Sequence, residues 1–154
     1  MERVWIYQAN RFFTAHELEL LNSYLTDFVK QWSAHGDKLL GSFEIKYDLF
    51  IVLKVDESQA MVTGCSIDKS VHLLKEIANK LNVDLFDRTL IAFRLDNTES
   101  IQLVSRNQFE VLITQGSVTD TTIVFNNMVT TGEEFNTKWE VPLKDSWHAQ
   151  VFLS

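Results

Sequence analysis

From Phe43 onward every odd position is apolar: Phe43, Ile45, Tyr47, Leu49, Ile51, Leu53 and Val55. A period of two places these side chains on one face of extended chain. One strand of that length would far exceed the usual run of about five or six residues. The pattern therefore predicts antiparallel pairing with a hairpin or bulge near Tyr47-Asp48. Residues 56–59 supply a polar turn, and residues 60–64 read as a further strand, giving a meander.

The rest of the chain is fitted around that sheet. Residues 4–8 form a short β segment, with Trp5 and Tyr7 on one face and Val4 and Ile6 on the other. Thr14-Ala15-His16-Glu17 is a capping box with Phe13 and Leu18 placed as a staple, so a helix starts at Ala15. Its stripe is Leu18, Leu21, Leu25, Phe28 and Trp32, and Gly36 is the expected left-handed stop. Ser66 or Asp68 caps a second helix with an acidic start, a stripe of Ile67, Val71, Leu74, Ala78 and Leu81, and Asn82 at its left-handed end. Residues 90–95 and 100–104 predict another hairpin around Asp96-Asn97-Thr98-Glu99. Asn107 and Glu110 resemble a capping pair for a shorter third helix ending before Gly116, and residues 122–125 read as a strand. Phe135 and Trp139 share a helical face, Pro142 interrupts, and Ser146-Trp147-His148 opens an apolar tail. The expected class is α+β, with an antiparallel or mixed sheet built from hairpins, in a single domain over residues 1–154.

Composition removes several functions. With 14 Lys+Arg against 21 Asp+Glu the net charge is −7, which leaves no basic surplus for nucleic acid or anionic membranes. The longest apolar run, residues 49–53, is far short of the roughly 20 needed to span a bilayer as a helix, so no membrane insertion is expected. Cys65 is the sole cysteine, and an intramolecular disulfide is impossible. With no basic and apolar leader at the N-terminus, a cytoplasmic location is expected.

Two fragments imitate a nucleotide site. Gly36 and Gly41 have phosphate-loop spacing, but Ser42 stands where the lysine belongs, and the stretch leaves a helix for a strand. Residues 51–57 imitate a strand ending in Asp-Glu, with Lys54 breaking the pattern. The histidines at 16, 35, 72 and 148 have no metal-ligand spacing, so no metal or cofactor is implied.

The remaining candidates gather around Gly64-Cys65-Ser66-Ile67-Asp68. A helix N-terminus raises the thiolate fraction of a thiol placed there. A thiol-dependent enzyme would use Cys65 as nucleophile, the Ser66 and Ile67 amides for an anion, and His35 or His148 as base. The plainer reading of Cys65 is a small buried hydrophobe, and of His72 a surface pair with Asp68. Asp84, Asp87 and Arg88 read as capping and turn residues. Gly64, Ser66, Asp68, Asn126, Trp139 and Trp147 are the candidate ligand contacts; Asn126-Asn127 together could hydrogen-bond a ligand after the strand, with turn formation the plainer role. The site is expected where residues 64–68 meet His35 and residues 139–148. A cytoplasmic domain that binds a small molecule or a protein without catalysis is the leading expectation, because each candidate catalytic group has a plainer structural role.

Several segments together carry a resemblance: Val4-Trp5-Ile6-Tyr7-Gln8, Trp32-Ser33-Ala34-His35-Gly36, Ser42-Phe43-Glu44-Ile45-Lys46-Tyr47, Gly64-Cys65-Ser66-Ile67-Asp68, Val124-Phe125-Asn126-Asn127, Trp139-Glu140-Val141-Pro142 and Ser146-Trp147-His148. Across nearly its whole length the chain resembles an uncharacterised family of small Bacteroidetes proteins often labelled "ABC transporter ATPase". That resemblance implies no established activity, substrate or catalytic residue. The label conflicts with the residues: the phosphate-loop lysine and a Leu-Ser-Gly-Gly-Gln-like signature are both missing.

Overall fold

A computed structural model describes residues 1–96 and 98–153. In chain order the elements are β1 (Glu2–Gln8), α1 (Ala15–Gln31), β2 (Ser33–Ala34), β3 (Asp37–Lys38), β4 (Leu40–Lys46), β5 (Phe50–Asp56), α2 (Gly64–Leu81), β6 (Leu90–Arg94), β7 (Ile101–Ser105), α3 (Arg106–Thr114), β8 (Ile123–Phe125), α4 (Gly132–Lys138), β9 (Glu140–Pro142), a 3-10 turn (Leu143–Asp145) and α5 (His148–Phe152). Two antiparallel sheets have the orders β1-β5-β4 and β7-β6-β8-β9, and β2-β3 is a separate small hairpin. The fold is α+β, as the hairpin-rich sequence predicts.

The 43–55 alternation turns at the expected place. Lys46 pairs with Phe50, leaving Tyr47, Asp48 and Leu49 as the loop, with Tyr47 and Asp48 left-handed at φ 57° and 55°. A loop of odd length preserves parity, so Ile45 faces Ile51 and Phe43 faces Leu53. The apolar pattern thus runs through the turn unbroken. Odd residues point to the helix layer, where Trp5 meets Trp32 with ring centroids 6.0 Å apart. A Cβ on Gly41 would stand 2.9 Å from the Trp32 ring. Even residues face the second sheet: Phe50 meets Trp139 edge-on at 5.0 Å, and Lys54 lies 5.0 Å over the Phe135 ring while pairing with Glu44. Covered on both faces and both edges, β5 is the buried centre of the main core. A smaller core gathers Ile91, Phe93, Phe109, Val124 and Leu143 beneath the second sheet.

The Thr14 capping box and the start at Ala15 are present. Other boundaries differ. α1 ends at Gln31, and Gly36, at φ 83°, instead forms with His35, at φ 52°, the two-residue turn of the β2-β3 hairpin. The glycine pair that imitates a phosphate loop therefore belongs to a hairpin and the strand after it. Residues 60–63 form no strand and Gly64 already opens α2, because Thr63 caps the helix by accepting from the Ser66 amide. Ser66 is the reciprocal N3 partner, not the cap, and the first turn of α2 holds no acidic residue. Asn82 ends α2 at φ 53° as expected. Ser105 and Gln108, not Asn107 and Glu110, form the box of α3. Of the turn joining β6 and β7, Asn97 lies outside the described residues. Pro142 does not interrupt the chain: it ends β9 on the edge of the sheet, opposite Ile123, where a missing N–H is tolerated. No helix among the described residues is long and apolar enough to cross a membrane.

Candidate functional site

The predicted cluster does not assemble as expected. Cys65 is exposed, which overturns its reading as a buried hydrophobe. Gly64 and Asp68 are exposed beside it, with open space where a Cβ on Gly64 would stand. Ser66 is buried, its side chain held in the Thr63 cap and its carbonyl accepting from Trp32 Nε1 at 2.8 Å. That bond draws the start of α2 toward β2, which His35 follows. The His35 side chain is exposed. His72 pairs with Glu76 at 3.1 Å, not with Asp68. Among the described residues no hydrogen bond, ion pair or ring contact joins residues 64–68 to residues 139–148, or Cys65 to any histidine.

Two of the candidates, Trp147 and His148, meet elsewhere, at a cavity of about 140 Å³ in the seam between the two sheets. The end of β1 brings Ile6, Tyr7 and Gln8, and the connection after α2 brings Leu85, Phe86, Asp87 and Arg88. β6 adds Ile91 and Ala92, and the segment after β8 adds Asn127 and Met128. Asn126 itself is a turn residue, its Oδ1 accepting from the Met128 amide at 3.2 Å. Trp139 is buried behind the cavity wall and does not line it.

A relay of hydrogen bonds fixes the polar wall. Trp139 Nε1 donates to Asn127 Oδ1 at 2.9 Å, Asn127 Nδ2 to Gln8 Oε1 at 3.1 Å, and Gln8 Nε2 to the Leu90 carbonyl at 3.1 Å. An indole only donates and a backbone carbonyl only accepts, so both amide orientations are determined by the ends of the chain. Each amide nitrogen keeps one further N–H. His148, 4% exposed, is held through Nδ1 by Ser146 Oγ at 2.7 Å and stacks on Trp147 at 3.8 Å. Burial lowers its pKa to about 4, so the ring is neutral near pH 7. Its Nε2 bonds no described residue, and no enclosed side-chain nitrogen or oxygen among the described residues lacks a partner. His148 itself is among the residues that line the cavity, and Nε2 is the ring nitrogen not held by Ser146. Burial also raises the Tyr7 phenol, which stays protonated, against an opposing pull from nearby Arg88.

Asp87 is the lone carboxylate in this wall. Its Oδ1 accepts from Thr89 N at 2.8 Å and Thr89 Oγ1 at 2.6 Å, the turn role expected for it, and those bonds hold its pKa below the usual value. Arg88, exposed at the rim, makes no hydrogen bond or ion pair with a described residue. Two larger depressions are surface troughs. The one between α1 and α2, about 460 Å³, is floored by Phe28 and by Trp32, whose indole N–H is already committed to Ser66. The other, about 390 Å³, lies around Arg94 and Asp96. Among the described residues no three His, Cys, Asp or Glu side chains converge as a metal site.

The residues of this wall that sequence reasoning missed are Tyr7 and Gln8, together with Arg88, which the sequence presents only as a turn residue. Gln8, a polar residue closing an apolar strand, was the available signal. Comparison of the chain with protein-family models, curated proteins and solved structures finds no match.

Proposed function

We propose that this protein is a binding domain that holds one small molecule in the seam cavity and performs no chemistry on it. The observation that carries this reading is the relay from Trp139 through Asn127 and Gln8 to Leu90. It spends two side-chain amides on fixing donors at an otherwise largely apolar wall, the usual build of a small-ligand pocket. Pockets for drug-sized ligands run to about 300–1,000 Å³. This cavity instead suits a molecule near the size of benzene, which a cavity of about 150 Å³ accommodates. A cytoplasmic setting belongs to the same proposal, since the sole thiol is exposed and has no intramolecular partner. A thiol-dependent reaction at Cys65 gains no comparable support, because no described imidazole contacts that sulfur.

A thermal-shift screen of ring-sized metabolites, alongside Mg-ATP and divalent metals, tests the reading. A ligand at 100 times its Kd adds about 2.7 kcal/mol to stability. The expected hits shift the amide NMR signals of Gln8, Asn127 and His148. Hits that move only the α1/α2 trough or the start of α2 would overturn the assignment, as would stabilisation by Mg-ATP alone.

A further inference from the structure

Resting on the seam cavity as the binding site, we infer that its ligand is a small carboxylic acid whose apolar body is about the size of one six-membered ring, with the carboxylate held by Arg88. Among the residues that line the cavity, the polar side chains other than His148, whose Nε2 donates or accepts according to its tautomer, are biased toward donors. Gln8 Nε2 and Asn127 Nδ2 each have one N–H left once the relay is satisfied. The Tyr7 hydroxyl bonds no described residue and stays protonated. Arg88 adds a guanidinium that makes no hydrogen bond or ion pair with a described residue. Against these stands Asp87, one of whose oxygens already accepts twice from Thr89. A ligand that brings acceptors and a negative charge satisfies this set, and a guanidinium engages a carboxylate through two parallel hydrogen bonds.

The apolar part has an equally definite place. Ile6, Leu85, Ile91, Ala92 and Phe125 form the inner wall. Phe86, Met128 and Trp147, from three separate segments, stand around it with 39%, 65% and 43% of their surface exposed. Scattered exposed apolar residues are ordinary, but a cluster bordering one concavity marks a binding site. With the apolar wall inside and Arg88 at the rim, the acid enters body first and leaves its carboxylate near solvent, so the cost of burying charge is avoided.

Three ring compounds that differ in charge decide the matter: benzoate, benzamide and benzylammonium, titrated into the full chain and followed by amide NMR shifts. Benzoate is expected to perturb Gln8, Arg88, Asn127 and His148, and to bind roughly tenfold or more tightly than benzamide. Arg88→Gln should bring benzoate to the affinity of benzamide while leaving the spectrum of the main sheet beyond the neighbourhood of Tyr7 unchanged, since the Arg88 guanidinium makes no hydrogen bond or ion pair with a described residue. Equal binding of benzoate and benzamide, tighter binding of benzylammonium, or indifference of benzoate to Arg88→Gln overturns the carboxylate and leaves the cavity as a binding site. If none of the three perturbs the cavity residues, both the ligand class and the site fall.

Discussion

Taking an imidazole out of water disfavours its protonated form, and at His148 burial moves the pKa from 6.5 to about 4. Between those values the unfolded chain holds a proton there that the folded chain does not. The unfolded state thus binds more protons, and stability falls as the pH drops through that interval. Below the folded pKa both states are protonated and the slope ends. The span corresponds to about 3 kcal/mol. Glu17 works in a lower window that meets the first only near pH 4–4.5: hydrogen bonds from Arg11 and from the Thr14 cap hold it at about 2 against 4.5 unfolded, so its contribution is present above 4.5 and is lost progressively as the pH falls toward about 2. Urea denaturation in steps from pH 6.5 down to 4.5 should accordingly show falling stability that His148→Gln flattens. An unchanged acid slope in that variant would mean His148 is not protected from protonation.

At the level of the element, the β4-β5 loop carries a conformational load. Tyr47 and Asp48 are both left-handed, a region that costs an ordinary L-residue roughly 1–2 kcal/mol and suits aspartate better than a β-branched side chain. The loop is anchored where Phe13 N and Ala9 N donate to the carbonyls of Asp48 at 2.8 Å and Leu49 at 2.9 Å. Asp48→Val should therefore lower stability by about 2 kcal/mol. Asp48→Gly should be near neutral, because relief of the left-handed strain is offset by added freedom of the unfolded chain. Equal losses in thermal denaturation would show that the loop does not require this backbone. The same loop shows which parts of the fold were legible. Local chemistry was: the Thr14 box, the Asn82 stop and the hairpin at Tyr47 all depend on residues a few positions apart. The cap of α3 was not, because Ser105 also ends β7, and a residue serving two elements signals neither clearly. The strand read over residues 60–64 failed because β5 already has both neighbours, β1 and β4, in the sheet. The cavity was least legible. Gln8 and Asn127 are 119 positions apart, and no spacing rule joins them. The sequence offers Trp147 and His148 as candidates, but beside Cys65, which does not line the cavity they share.

Across the whole molecule, the two sheets have to be held in register for the seam cavity to keep its shape. Several ties cross the seam, including Val4 N to the Thr130 carbonyl at 3.0 Å. The most heavily charged is a three-way contact: Tyr47 Oη donates to Glu140 Oε2 at 2.5 Å, and Arg94 donates to Glu140 Oε1 through Nε at 2.8 Å, with Nη2 of the ion pair 2.7 Å from the same oxygen. The Arg94 guanidinium lies 4.8 Å over the Tyr47 ring, which also stacks on the Trp139 ring at 5.8 Å and meets the Phe125 ring at 5.9 Å. Glu140 thus connects the β4-β5 loop of one sheet with β6 of the other. Hydrogen bonds to charged groups contribute about 1.5–3 kcal/mol, and without Glu140 the half-buried Arg94 keeps only its bond to the Glu99 carbonyl at 2.9 Å and the exposed Glu99 carboxylate at 3.8 Å. Glu140→Ala should cost about 2–3 kcal/mol in urea denaturation, and Tyr47→Phe, losing one hydrogen bond, about 1 kcal/mol. Residues in one network are not independent. Once Glu140 is gone the Tyr47 hydroxyl has lost its acceptor, so the double variant should be no less stable than Glu140→Ala by more than about 0.5 kcal/mol. Strict additivity would show that the two side chains act separately. The expected shortfall would instead mean that the ion pair and the phenol close the seam as one unit, and that loosening it should weaken any ligand bound in the cavity alongside.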